Sequence, residues 1–536
     1  MRRGDWPAAF AIADTALASG VEHPLLLNLA AWRLEGTGEY LAAGDLLARA
    51  LELAPGDLRT TFALGRLYKA AGHAPEALEV FDAALRLDDR FVLAWREKGL
   101  VLELLGDAEA AAACYRRAVE LDPAYPDAHA GLASASVKLG DRPATRRHAA
   151  KALALKPRHS TAVCALARAE LADHDPVGAE RLLRDFFSTP ASDPHDRAVA
   201  LGLLSEALDE QDQCAQAFAA SEACNAAYAG LNAHRFARPG VETHPGFVRR
   251  LEDWFAALPA TDWSTADATA NPGPVQGHVF LCGYPRSGTT LLENALAGCP
   301  DVVALEEKPT LEDADRAFLG DADGLQRLLE LDAAGAAPWR EAYWRRVRSC
   351  GVEPDGKVFI DKSPMATVSL PLIRKLFPAA KILIARRDPR DVVLSCFRQH
   401  FSMNPATYAF TTLDGAARHY DAVMRLTERY LAALPVDAHV VDYRDLVADF
   451  DGTTQKACAF IGVDWTQGAR DFAATARRRR AASASAEQVQ RPLYSGSGRW
   501  RRYRDQLEGV LPLLEPWVER FGYEPTGPRL DPAGEG

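Results

Sequence analysis

The front of this chain repeats itself every 34 residues, and a repeat of that length restricts the fold more than any other feature of the sequence. Gly38, Gly72, Gly106 and Gly140 keep the interval, as do Ala43, Ala77 and Ala111, and Pro55, Asp89, Pro123 and Pro157. Leu47, Phe81 and Tyr115 keep it for a large residue. Each unit reads as a helix, a tight turn at the glycine, a second helix and a Pro/Asp break. Glycine supplies turn dihedrals that are costly for other residues. The small alanine lets the two helices of a pair approach, and the larger residue fills the space between pairs. One such pair cannot bury its apolar face alone, so the pattern demands a stack, and a stack leaves a concave groove. About six units cover residues 1–225, the register weakening beyond Pro157, where His174 takes the glycine position.

At 536 residues the chain is too long for one ordinary domain. Its 48% hydrophobic and 25% charged residues are those of a globular protein with ample core material. A net charge of −11 argues against a general nucleic-acid binder, which needs a basic face, but leaves local basic clusters able to bind small anions. The nine cysteines show no CxxC pair and no His/Cys ligand spacing, which reads as reduced thiols and not as a disulfide framework or zinc site. No apolar run reaches the ~18 residues that a transmembrane helix needs. Behind Arg2 and Arg3 the apolar residues fall at helical spacing among Asp5 and Asp14, an amphipathic helix and not a signal peptide. These features predict a cytoplasmic protein. Residues 226–275, punctuated by Pro239, Pro245, Pro259, Pro272 and Pro274, read as a connector. It holds one amphipathic helix over 247–258, with Phe247, Leu251, Trp254 and Phe255 on one face. Residues 529–536 read as a disordered tail.

The back half opens on an apolar strand over 278–283, followed by the loop Tyr284, Pro285, Arg286, Ser287, Gly288, Thr289, Thr290 and a helix over 291–296. Strand, Gly-bounded loop and helix start make an anion site, because free backbone N–H groups and the helix dipole converge there. Gly283 and Gly288 have the offset of a Walker A loop, yet Thr289 stands where that motif has its phosphate-binding lysine. The loop is therefore built for a phosphate but not for a nucleoside triphosphate, and Arg286 sits inside it. Three more strands, over 357–360, 381–385 and 439–441, alternate with helical stretches and predict a doubly wound parallel sheet with its ligand at the strand C-termini. They end on Asp361, Lys362 and Ser363; on Arg386, Arg387 and Asp388, with Ser395 further on; and on Asp442, Tyr443 and Arg444. Any one of these groups alone reads as a solvated turn. Together they point to one anionic ligand.

The front half resembles the tetratricopeptide repeat. The stretch from Tyr284 to Leu292 is similar to the 5′-phosphosulfate loop of sulfotransferases that use 3′-phosphoadenosine 5′-phosphosulfate (PAPS), and that from Arg387 to Ser395 resembles their 3′-phosphate motif. The likeness is strongest to the tyrosylprotein sulfotransferases and to bacterial proteins that join such repeats to this domain. It implies an all-α repeat solenoid followed by an α/β, P-loop-like sulfotransferase domain over 276–528.

The resemblance places Arg286, Ser287, Gly288, Thr289 and Thr290 on the 5′-phosphosulfate, and Arg387 and Ser395 on the 3′-phosphate. A further arginine of the relatives falls on Gln399, beside Arg398. Read alone, Glu306 and Glu307 are an exposed pair at a helix start. The ungapped register of the resemblance makes Glu307 the catalytic base, with Glu306 as second candidate. Lys362 matches a lysine that stabilises the bridging oxygen, as would Arg286 and Ser485. Ser485 and Arg499 match the segment that closes over the donor, and Tyr443 matches a tyrosine near the adenine. The run from Arg477 to Arg480 reads as a solvated helix end or as a steering patch.

The implied reaction is an in-line transfer that needs positioning, deprotonation of the acceptor and charge stabilisation, and no metal. Its co-substrate is PAPS and its product adenosine 3′,5′-bisphosphate. The acceptor stays open: protein tyrosine, glycan, lipid or small phenol. The groove of the repeats reads equally as a site for a protein or peptide partner, with the acceptor among the candidates, and as a spacer or a homodimer surface. Two rival readings, a P-loop kinase and a non-catalytic nucleotide-sensing scaffold, are opposed by the missing Walker lysine and by the presence of Glu307 and Lys362.

Overall fold

The computed structural model describes residues 6–188, 193–257, 263, 273–479, 485–490, 493 and 496–527. The tail read at 529–536 lies outside these residues, as do Arg480 and part of the connector. The chain divides into two compact units, Met1–Gln213 and Cys214–Gly536.

In the first unit antiparallel helices alternate with short turns, from Trp6–Ala18 through Pro24–Thr37 and Tyr40–Leu53 to Pro194–Glu210. The repeating glycines have left-handed backbones, with φ of 80° at Gly38, 85° at Gly72, 84° at Gly106 and 72° at Gly140. His174 takes the same conformation at φ 60°, so the turn persists where its glycine is lost. That conformation costs a side-chain-bearing residue about 1–2 kcal/mol, which packing on either side must offset. Ala43, Ala77 and Ala111 are fully buried, as the close approach of paired helices requires. Tyr115 lies between Gly99 and Gly131, where an added Cβ would come within 2.7 and 2.5 Å of its ring. Asp107, Asp141 and Asp175 add a repeating feature: each accepts a backbone N–H at the start of the second helix of its pair.

The second unit is built on a five-stranded parallel sheet with helices packed around it. Its strands are β1 (Gly277–Gly283), β2 (Val302–Glu306), β3 (Val358–Lys362), β4 (Lys381–Arg386) and β5 (Asp437–Asp442), in the order β2-β3-β1-β4-β5. Alternate residues of β1 feed two cores. Val279 and Leu281 join Leu292, Leu296, Ile360 and Leu383 on one face. On the other, His278 and Phe280 meet the rings of Tyr343 and Phe377. β2 departs from the sequence reading, which placed Glu306 and Glu307 at a helix start; Glu306 instead ends an edge strand. An edge strand of five residues buries only Val302 and Leu305, too few to show an alternating pattern.

The helix Cys214–Phe236, within which the sequence boundary at 225 falls, belongs to this second unit. Asn225 Nδ2 donates to Phe397 O at 2.7 Å, and the rings of Phe218 and Phe397 are 4.9 Å apart. The connector helix His244–Ala257 buries Val248, Leu251 and Phe255, with Phe255 stacked 5.5 Å from Trp263. Among the described residues no helix is long and apolar enough to cross a membrane. Among the described residues no pair of cysteines forms a disulfide.

Candidate active site

β1 lies between β3 and β4, and the chain returns to its left for β2 and β3 before crossing to its right for β4 and β5. That reversal opens a crevice at the strand C-termini, where ligands of such sheets bind. The loop after β1 enters it. Gly283 stands at φ 153°, and a Cβ there would meet Ala385 O at 2.4 Å. Gly288, at φ 101°, begins the helix Thr289–Leu296, and a Cβ there would meet the Tyr443 ring at 2.7 Å. Arg286 itself has a left-handed backbone at φ 69°. Ser287 Oγ donates to Tyr284 O at 2.6 Å, clipping the loop shut.

Loops after β1, β4 and β5 line an open cleft together with Ser485, Gln488, Val489 and Leu493. Arg286, Gly288, Thr290, Arg387, Tyr443, Ser485 and Gln488 form its polar side, and Leu291, Phe472, Val489 and Leu493 its apolar side. The Arg286 guanidinium donates to Ser395 Oγ at 3.0 Å, Ser485 Oγ at 2.5 Å and Gln488 Oε1 at 2.6 Å. Arg387 donates to Arg286 O at 3.2 Å and to Gly496 O, and its guanidinium lies 4.8 Å over the Tyr443 ring. Its Nε is buried without a hydrogen-bond partner. Asp391, in the helix Pro389–Arg398, accepts the N–H of Gly498 at 2.7 Å and of Trp500 at 2.9 Å, which ties the C-terminal segment to the site.

Lys362, at the end of β3, is wholly buried beside this cleft. Its Nζ is 2.6 Å from Glu307 Oε1, 3.3 Å from Glu306 Oε1, 3.5 Å from Glu293 Oε2 and 3.4 Å from Thr290 Oγ1. Burial alone would lower this ammonium, but the carboxylates of Glu293, Glu307 and Glu306 outweigh it and hold it above its ordinary value. Glu307 has φ 48°, and its N–H donates to Lys362 O at 2.7 Å, which turns the chain out of β2 and aims its half-exposed side chain back over the lysine. On the far face of β3, Asp361 accepts from Thr310 Oγ1 at 2.6 Å and Tyr343 Oη at 2.8 Å, pinning the segment after Glu307. Burial pushes the Asp361 carboxyl up to about 6.

The structure thus brings Arg286, Gly288, Thr290, Arg387, Tyr443 and Ser485 onto one cleft, with Ser395 behind Arg286 and the Lys362–Glu307 pair beside Thr290. Ser287 and Thr289 are buried and shape the loop without lining the cleft. Arg499 is exposed on the short helix Arg499–Tyr503, away from the cleft lining. Arg398 lies 4.8 Å over Tyr503, and neither it nor Gln399 lines the cleft. Sequence reasoning missed Glu293, Gln488 and Asp391, and left Arg479 as one member of a basic run.

The parallel sheet thus carries a loop with the glycine spacing of a phosphate-binding loop but without its lysine, and a second basic segment one strand away. A sulfotransferase family model matches residues 278–467, and a tetratricopeptide repeat model matches 62–126. The chain joins N-terminal tetratricopeptide repeats to a sulfotransferase family domain. An uncharacterised protein of Aquifex aeolicus is 24% identical over 258 residues, which are 46% of this chain and 33% of that protein. The match therefore spans a third of the length of that curated relative. Among solved structures, PilW, a type IV pilus biogenesis factor, is similar at 16% identity and a TM-score of 0.33, over 40% of this chain and 95% of its own. A repeat protein of Parabacteroides merdae is similar at 15% identity and a TM-score of 0.32, over 43% of this chain and 90% of its own. MamA of Desulfovibrio magneticus is similar at 20% identity and 0.28, over 31% of this chain and 93% of its own.

Proposed function

We propose that the second unit transfers a sulfuryl group from PAPS to a hydroxyl acceptor. One observation carries the reading: two arginines from the ends of neighbouring strands, Arg286 and Arg387, meet on one cleft whose remaining wall is apolar, beside a buried lysine in contact with a carboxylate. A nucleotide with phosphates at both ends of its ribose needs two cationic sites and a flat apolar wall. Arg387, with its Nε unpartnered, suits the 3′-phosphate; the loop of Arg286, Gly288 and Thr290 suits the 5′ side. Tyr443, Phe472, Val489 and Leu493 offer the base a wall.

The donor supplies a sulfuryl group already activated by its link to phosphate. Glu307 takes the proton of the acceptor hydroxyl. Lys362, Arg286 and Ser485 offset the negative charge that grows on the bridging oxygen. Tyrosine in a protein or peptide is the first acceptor to try, on the resemblance to the tyrosylprotein enzymes, and the repeats would recruit it or a partner through their groove.

The test compares ligands. Adenosine 3′,5′-bisphosphate should raise the melting temperature of the protein and ATP with magnesium should raise it far less. Equal effects, or preference for ATP, would refute the reading in favour of a kinase.

A further inference from the structure

Arg477, Arg478 and Arg479 end the helix Phe472–Arg479 and do not share one role. Arg478 is exposed, and Arg477 donates to Gln490 O at 2.9 Å. Arg479 turns inward. It donates to Glu293 Oε1 at 2.6 Å, Asn294 Oδ1 at 3.1 Å and Ala304 O at 3.0 Å. It therefore joins the helix that starts at the anion loop to the strand that delivers Glu306 and Glu307.

Glu293 is wholly buried. It follows Thr290 by one helical turn, so both look at Lys362 from the same face. Its Oε1 goes to Arg479, while its Oε2 makes no hydrogen bond and faces Lys362 Nζ at 3.5 Å. A buried ion is costly unless paired, and an apolar side chain would fill this helix face at no such cost. The groups facing Lys362 are Glu293 and Thr290 from the helix and Glu306 and Glu307 from the end of β2. Without Arg479, three carboxylates would surround one ammonium at the edge of a cleft meant for an anion.

We propose that Glu293 and Arg479 are a positioning pair for Lys362: Glu293 places the ammonium at the anion loop, and Arg479 neutralises Glu293 so that the ammonium can still attract an anion in the cleft. The pair touches neither donor nor acceptor and acts through the lysine. This rests on the reading of the cleft as the donor site.

The test is calorimetry on the full chain with two probes, adenosine 3′,5′-bisphosphate and adenosine 3′-monophosphate, which differ only in the 5′-phosphate next to Lys362. Arg479→Met should weaken the bisphosphate about tenfold or more and the monophosphate by less than about threefold, because the unneutralised charge of Glu293 acts chiefly on the 5′ end. Glu293→Gln with Arg479→Met should recover the bisphosphate to within about threefold of the unmodified protein, the signature of two groups that act as one. Arg479→Lys, which keeps the charge, should keep most of the preference; Arg479→Gln replaces the Met variant if that one does not fold. Equal weakening of both probes by Arg479→Met, or a double variant as weak as the single one, overturns the pair and leaves the donor site standing. An unmodified protein that shows no preference for the bisphosphate removes both.

Discussion

Arg387 meets the ring of Tyr443 on one side and two backbone carbonyls on the other, and its buried Nε has nothing to donate to. An anion arriving there adds a charge-assisted bond without displacing a carboxylate. Arg387→Ala should therefore weaken adenosine 3′,5′-bisphosphate by about 1.5–3 kcal/mol, by calorimetry, and abolish most of the preference for a 3′-phosphate. Glu307→Gln should leave that affinity within a few-fold and reduce sulfuryl transfer by about 10²–10⁴. If Glu306→Gln has that effect instead, the base is the other member of the pair. A third outcome concerns pH. His278 is buried with Nε2 at 2.8 Å from Tyr343 Oη and Nδ1 unpartnered, and burial lowers it to about 3. The unfolded chain takes up a proton below pH ~6.5 that the folded one refuses, so stability is present above that pH and drains away as pH falls toward 3, by about 1.4 kcal/mol per unit. Asp361, raised to about 6, works the other way only between there and its unfolded value near 3.8. His278→Gln should flatten the decline between pH 6.5 and 4 in urea titrations. The anion loop, Arg387, Lys362 and Tyr443 were legible because a short motif or a strand end announces each. Glu293 and Arg479 were not: a glutamate inside a helix reads as a solvent-facing charge, and nothing local marks its distant partner.

Helices and central strands were legible wherever a period or an apolar run showed them. The repeat's turns survived in structure at His174, where the glycine that signals them was gone, because helices on both sides hold the left-handed backbone. β2 was hidden by its edge position, and with it the reason that Glu306 and Glu307 converge on Lys362. At this scale packing makes a prediction of its own. Gly131→Ala would place a methyl 2.5 Å from the Tyr115 ring, which is itself fully buried against Gly99. The ring must shift, at a cost of about 1–3 kcal/mol, so the first unit should melt earlier than in the unmodified protein in calorimetric scans. Gly36→Ala, in the helix Pro24–Thr37 with ordinary backbone angles and nothing within 4 Å of the added methyl, is the control for the effect of overpacking.

For the molecule as a whole, the division at Gln213 shows where a truncation must begin. A variant starting at Cys214 keeps the helix whose Phe218 and Asn225 hold Phe397, and a start at residue 226 would strip them. If the repeats recruit a protein acceptor, that truncation should raise the Michaelis constant for the protein acceptor and leave turnover of a small phenol nearly unchanged, since tethering raises local concentration without touching the reacting atoms. Unchanged kinetics with the protein acceptor, together with a change from two chains per particle to one, would make the repeats a dimer surface. The strand order carries a consequence in time. β1 pairs with β3 and β4, so its two neighbours are made about 80 and about 100 residues after it. At a synthesis speed of roughly 5–20 residues per second, a newborn chain carries an apolar strand with both edges open for several seconds. The helical repeats, which pair with neighbours in sequence, are finished before that interval begins. Chaperones that shield unpaired strands should therefore govern how much of this protein a cell accumulates, and the vulnerable moment comes in the middle of its birth, when the front is complete and the first strands of the sheet still wait for β3.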